Sequence, residues 1–119
     1  MITVISPAKK LSNECFAHKA DHSKPVYLNR SAELVDQLKN YEPSYLESLM
    51  GISEKLSILN WERYQDWKPS FSSDNSRQAF FAFKGDTYTG LDADTFSKED
   101  LSFSQEHTRI LSGLYGVLR

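Results

Sequence analysis

Ala79-Phe80-Phe81-Ala82-Phe83-Lys84-Gly85-Asp86 is the stretch on which the reading of the fold turns. Five apolar residues in a row lack the alternation of a half-exposed strand, so residues 79–83 read as an interior strand covered on both faces. Lys84-Gly85-Asp86 then turns the chain out of the sheet. Such a strand belongs to an α/β architecture, where ligands gather at the carboxyl ends of the strands. Residues 2–6, rich in β-branched side chains and stopped by Pro7, read as a second interior strand. The two are expected in one sheet, with Lys9 and Lys84 emerging at the same edge.

Helical segments lie between them. Ser31 reads as the cap of a helix bearing Leu34, Val35, Leu38 and Tyr41, which Pro43 stops, and residues 26–28 read as a short edge strand before it. Ser44-Tyr45-Leu46-Glu47 fits a capping box opening a second helix, Gly51 breaks it, and Ser53 caps a third that Trp67-Lys68-Pro69 closes. Ser97-Lys98-Glu99-Asp100 is another capping box, starting a helix to about Glu106. His107 would be a stabilising charge at its end. Thr108–Ser112 reads as a strand, followed by the Gly113-Leu114-Tyr115-Gly116 turn. Residues 8–24 lack periodicity and read as a long loop.

Composition bounds the partners. The chain has 119 residues, 39% hydrophobic, 25% charged and 13% aromatic, an ordinary globular balance. Net charge is −2, without the basic excess of a dedicated nucleic-acid binder, so any phosphate binding needs a local cluster of Lys and Arg. A single cysteine cannot form an internal disulfide, and no segment approaches membrane-spanning length. The cytoplasm is the expected compartment.

Four groups of residues carry possible chemistry. Leu46-x-x-Leu49-Met50-Gly51-Ile52-Ser53-x-Lys55-Leu56 reads either as a helix–hairpin–helix or as a plain pair of helices with Gly51 in a tight turn. In the first case the N–H groups of the second helix meet a phosphate without reading a base, and Lys55 adds a charge. Lys84, Asp86 and Tyr88 would offer a cation, a carboxylate and a ring for stacking, or else a solvated turn with a packed Tyr88. Lys9-Lys10 forms either part of a basic rim or a solvated pair. Cys15-x2-His18-x3-His22 has ligand types suited to zinc or iron, but reads as a solvated loop. No metal or cofactor is expected.

Ile5-Ser6-Pro7-Ala8-Lys9, Ile52-Ser53-Glu54-Lys55-Leu56, Ala82-Phe83-Lys84-Gly85-Asp86-Thr87-Tyr88-Thr89-Gly90-Leu91 and Leu111-Ser112-Gly113-Leu114-Tyr115-Gly116-Val117-Leu118-Arg119 form four ordered blocks. Together they resemble the YaaA family of bacterial peroxide-stress proteins, from one end of the chain to the other. Family members run to about twice this length, so residues 1–119 are expected to be the N-terminal portion of a single domain. The missing C-terminal half would complete it, and the apolar segment 113–119 is expected to lie bare without that cover. The resemblance implies a cytosolic protein induced by hydrogen peroxide and linked to lower free iron and less DNA damage. It implies a mixed α/β fold with a basic cleft and a helix–hairpin–helix element suited to duplex DNA. Departures from the family pattern are Gly51 where a basic residue is frequent, Lys10 for Thr and Thr87 for Val.

The expected function is therefore non-enzymatic DNA binding under peroxide stress, through Gly51, Ser53 and Lys55 at the hairpin and Lys9, Lys84 and Arg119 in the cleft. The alternative is an enzyme acting on a nucleotide or nucleic acid, with Asp86 as acid/base, Lys84 on a phosphate and Tyr88 stacking. Iron sequestration through Cys15 and His18 is a third reading.

Overall fold

The computed structural model describes residues 1–12, 22–72 and 74–119, in two compact units. One is Tyr27–Ser70; the other joins Met1–Val26 to Phe71–Arg119.

Unit Tyr27–Ser70 holds three helices, α1 (Leu28–Leu38), α2 (Pro43–Met50) and α3 (Glu54–Asp66). Residues 26–28 form no strand: Val26 is 79% exposed and α1 begins at Leu28. Ser31 is not the cap expected of it. It lies one turn inside α1, fully buried on the face of Val35, and its hydroxyl donates to the Tyr27 carbonyl at 3.1 Å. A buried hydroxyl must find an acceptor, and the preceding turn supplies one. Ser57 does likewise in α3, donating to the Glu54 carbonyl at 2.7 Å.

The capping box expected at Ser44 is also absent. Glu42 is the N-cap without a side-chain bond, and Pro43 occupies the first turn. Proline has the right φ for that position and lacks an N–H that would be unpaired there anyway. Leu46 from α2 is fully buried.

Gly51 ends α2 in the left-handed conformation, φ 59° and ψ 46°, with its N–H bonded to the Glu47 carbonyl. Ser53 caps α3, its Oγ accepting from the Leu56 N–H at 3.4 Å. The end of α3 is tied to the end of α1 by Lys39 Nζ donating to the Trp67 carbonyl and Gln65 Nε2 to the Lys39 carbonyl. A Cβ at Gly51 would meet nothing within 4 Å, so the cost of a side chain there is conformational alone. Gly51→Ala is expected to destabilise the fold by about 1 kcal/mol, the lower end of the left-handed penalty. Urea unfolding should show a lower midpoint with an unchanged slope.

Among the described residues, the other unit contains two sheets. Strand β1 (Thr3–Ile5) runs parallel to β4 (Thr108–Ser112), which pairs antiparallel with β5 (Gly116–Leu118), giving the order β1-β4-β5. The two-residue strands β2 (Lys10–Leu11) and β3 (Phe83–Lys84) pair antiparallel on their own. Residues 2–6 and 79–83 thus do not share a sheet. Ala79–Ala82 is a single helical turn, α4, with the Phe81 and Ala82 N–H groups bonded to the Gln78 carbonyl. A short apolar run fits a buried helical turn as well as a buried strand, since periodicity cannot separate them. Ala79, Phe80 and Phe83 pack against Tyr88, Ile110 and Leu118. The run is apolar because it lies against the sheet.

Gly85 leaves β3 at φ 154° and leads into α5 (Asp86–Leu91), then a 3₁₀ turn at Ala93–Thr95. Helix α6 (Lys98–His107) opens on the expected capping box. Ser97 Oγ accepts from the Asp100 N–H, and the Asp100 carboxylate accepts from the Ser97 N–H and hydroxyl. Those bonds hold the Asp100 carboxyl below its ordinary pKa. His107 ends α6, its ring 4.2 Å from that of Phe103 and its Nδ1 3.0 Å from the Met1 carbonyl oxygen. In segment 113–119 Val117 is 43% exposed, as expected, but Leu118 is 9% exposed and packs in the core.

Candidate nucleic-acid interface

The short ladder β2–β3 brings two lysines together. Its register sets Lys10 directly across from Lys84, and Leu11 across from Phe83. Cross-strand neighbours in an antiparallel pair have Cβ atoms about 5 Å apart, so the two lysines rise side by side. Like charges in that position repel, and among the described residues neither has an ion-pair partner. Lys9 precedes Lys10 and is exposed, with no ion-pair partner among the described residues. An anion between these ammonium groups would relieve the repulsion.

Backbone contacts fix the two segments against each other. The Ser12 N–H donates to the Ala82 carbonyl at 2.8 Å, and a Cβ at Gly85 would stand 3.7 Å from that of Ala8. Tyr88 donates its hydroxyl to the Ser6 carbonyl at 2.7 Å. Its ring is buried and lies 5.5 Å from Phe83, centroid to centroid. Burial raises the phenol's pKa, which keeps it a donor. Tyr88 therefore presents no open face for a base to stack on. Asp86 is exposed in the first turn of α5, where a carboxylate suits the helix dipole.

Beside Lys84 is a cavity of about 190 Å³, lined by Phe80, Phe81, Tyr88, Thr89, Asp92 and Asp94 among others. That is below the roughly 300–1,000 Å³ typical of small-molecule sites.

Gly51, Ser53 and Lys55 stand in the helical unit. The connector Gly51-Ile52-Ser53 joins α2 to α3, and Lys55 is exposed in the first turn of α3 beside Glu54, without an ion-pair partner among the described residues. Arg119 follows β5. The register Ile110↔Leu118 alongside Ile5↔Ile110 directs it toward the level of Val4 and Arg109, away from the end of β1 that leads to Lys9. Lys10 adjoins Lys84 across the ladder and Lys9 precedes Lys10 in the chain; Arg119 heads the other way. The apolar runs 2–6 and 79–83 suggest Lys84 beside Lys9 through a shared sheet, whereas its partner is Lys10 through the small ladder. Nothing local in two residues announces such pairing.

Cys15 and His18 lie outside the described residues, and His22 is exposed. Among the described residues no group of three His, Cys, Asp or Glu is placed to hold a metal. No helix among them is long and apolar enough to cross a membrane.

A family model described as "Peroxide stress protein YaaA" matches residues 1–119. Curated relatives named UPF0246 protein include one from Cupriavidus metallidurans, 52% identical over 119 residues. Others from Hahella chejuensis and Teredinibacter turnerae are 53% and 51% identical over the same length. Each match covers 100% of this chain and 46% of the relative, so the chain spans about half the length of the proteins it resembles. A match along every residue, including the segments that form the Lys10–Lys84 ladder and the α2–α3 connector, leaves one assignment: this chain belongs to the YaaA family of peroxide stress proteins.

Proposed function

We propose that this chain is the N-terminal part of a cytoplasmic protein that binds the backbone of duplex DNA under peroxide stress, limiting peroxide damage and free iron. The observation that carries the reading is the Lys10–Lys84 pair with Lys9 adjoining, a local cationic cluster in a chain whose net charge is −2. Lys10 and Lys84, side by side and without a carboxylate partner among the described residues, suit phosphate oxygens, contacts that position a protein on DNA without specifying its sequence. The α2–α3 connector is a second contact, as a helix–hairpin–helix whose bend offers the N–H groups of α3 and the charge of Lys55. The rest of the family chain would supply further contacts, whereas Arg119, which heads away from the ladder, is not among them.

The enzyme alternative rests on the cavity beside Lys84, with Asp86 on the adjoining helix. Its small volume and the buried Tyr88 ring favour the DNA reading.

Duplex DNA binding by the long family protein carrying this chain, followed by fluorescence anisotropy across a salt series, tests the proposal. Lys55→Ala and Lys84→Ala should each weaken binding alike on unrelated sequences. Each should flatten the slope of log affinity against log salt by about 0.9, the contribution of one neutralised phosphate. Unchanged affinity and slope in both variants would discard the proposal in favour of the enzyme, whose turnover Asp86→Asn would then abolish.

A further inference from the structure

Among the described residues, the β1-β4-β5 sheet is covered on one face only. Ile5, Ile110 and Leu118 are level across the three strands and point to the Tyr88 side, where α4 and Phe83 close the core. Strand alternation sends the intervening residues to the opposite face. There Val4 pairs with Arg109 and Leu111 with Val117. Val4 is 55% exposed, Leu111 50% and Val117 43%, and Ile2, of the same parity as Val4, is exposed as well. Arg109 does not screen them, because its guanidinium is turned onto the carbonyls of Gln105 and Thr108 at 2.9 and 2.7 Å.

This face has an occupant on two physical grounds. Strands β1 and β4 are parallel, and crossover connections between parallel strands commonly lay helices on the faces of their sheet. An exposed aliphatic residue on each of the three strands, with Val4 two residues off the level of the Leu111–Val117 pair, is also what a covering layer requires. The length of the relatives says what the occupant is. More than half of each lies outside the match with this chain, enough for several further elements.

The geometry points to the remainder of the family chain as that occupant, laying the aliphatic stripe of an amphipathic helix across Val4, Leu111 and Val117. The inference stands apart from the DNA reading, since it uses none of the lysines.

Thiol accessibility tests it. Single cysteines are placed by Leu111→Cys and by Val117→Cys in a Cys15→Ser background, with Phe103→Cys on exposed α6 as a reference for labelling. Each is made in the 119-residue chain and in a long protein in which this chain replaces the matching part of the Cupriavidus metallidurans relative. Maleimide labelling is read by mass spectrometry on the peptide carrying each position. In the short chain positions 111 and 117 should react readily, and in the long protein both should slow at least tenfold. Equal rates in the short and long proteins at both positions would overturn the inference. So would a short chain already slow at both and running as a dimer, which would give the face to a second copy. Two positions are used so that one poorly folding variant does not leave the question open.

Discussion

Ile110→Ala is expected to cost about 2–5 kcal/mol of folding free energy, the range for deleting a large aliphatic side chain from a packed interior. Ile110 has 0% of its surface exposed and sits in the middle of the central strand, between Ile5 and Leu118 and against Tyr88. Strand β4 is paired along both edges, so its backbone has no room to collapse into the cavity left behind. Whole domains are stable by only about 5–15 kcal/mol, so this one substitution removes a large share. Leu111, one residue on, is the internal comparison: its side chain is 50% exposed on the bare face. Leu111→Ala should cost less than about 1.5 kcal/mol in the same chain, because a half-exposed side chain loses little burial. Urea unfolding followed by circular dichroism would separate the two by midpoint. Equal losses would mean that the sheet does not have one packed face and one bare face.

Reversing both charges of the ladder, Lys10→Glu with Lys84→Glu, should reduce duplex DNA affinity by roughly fiftyfold or more at about 0.1 M salt. That follows from two lost phosphate contacts, each carrying a slope of about 0.9 in log affinity against log salt. The salt slope itself should flatten by about two units, with little dependence on DNA sequence. The double variant retains two like charges across the ladder, so its folding stability should match that of the parent. Lys10→Glu alone supplies the opposite test. It sets a carboxylate across from Lys84 and should stabilise the ladder by roughly 0.2–1 kcal/mol, the worth of an opposite-charge cross-strand pair. DNA affinity should nevertheless fall. A rise in stability with a fall in binding distinguishes a phosphate contact from damage to the fold, and full retention of DNA binding in the double variant would remove Lys10 and Lys84 from the interface.

Much of the local structure was legible in the residues. Ser97 with Asp100, Ser53 with Leu56, and Gly51 after α2 are devices completed within one turn of chain, and each stands where the sequence put it. Strands β1 and β4, and the turn between β4 and β5, were equally readable from β-branched content and paired glycines. The readings that failed depended on distant partners. Ser31 looked like a cap until its burial beside Val35 required the hydroxyl to bond back to Tyr27. Ser44 lost its capping role to Pro43, whose preset φ suits the first turn of α2.

By itself the sequence determined the family, the helix ends at Gly51, Ser53 and Ser97, and which segments are apolar enough to be inside. Periodicity and capping are properties of neighbouring residues, so they survive in a string of letters. Only the tertiary structure decided that residues 79–82 form a helical turn while Phe83 pairs in β3, that Lys10 rather than Lys9 faces Lys84, and that the chain at Arg119 runs toward the level of Val4. Each of these is fixed by a partner far along the chain, as when Tyr88 bonds the Ser6 carbonyl 82 residues before it. Such contacts depend on how sheets pair and which face is covered, and a five-residue apolar run satisfies a strand or a helical turn equally until that cover is in place.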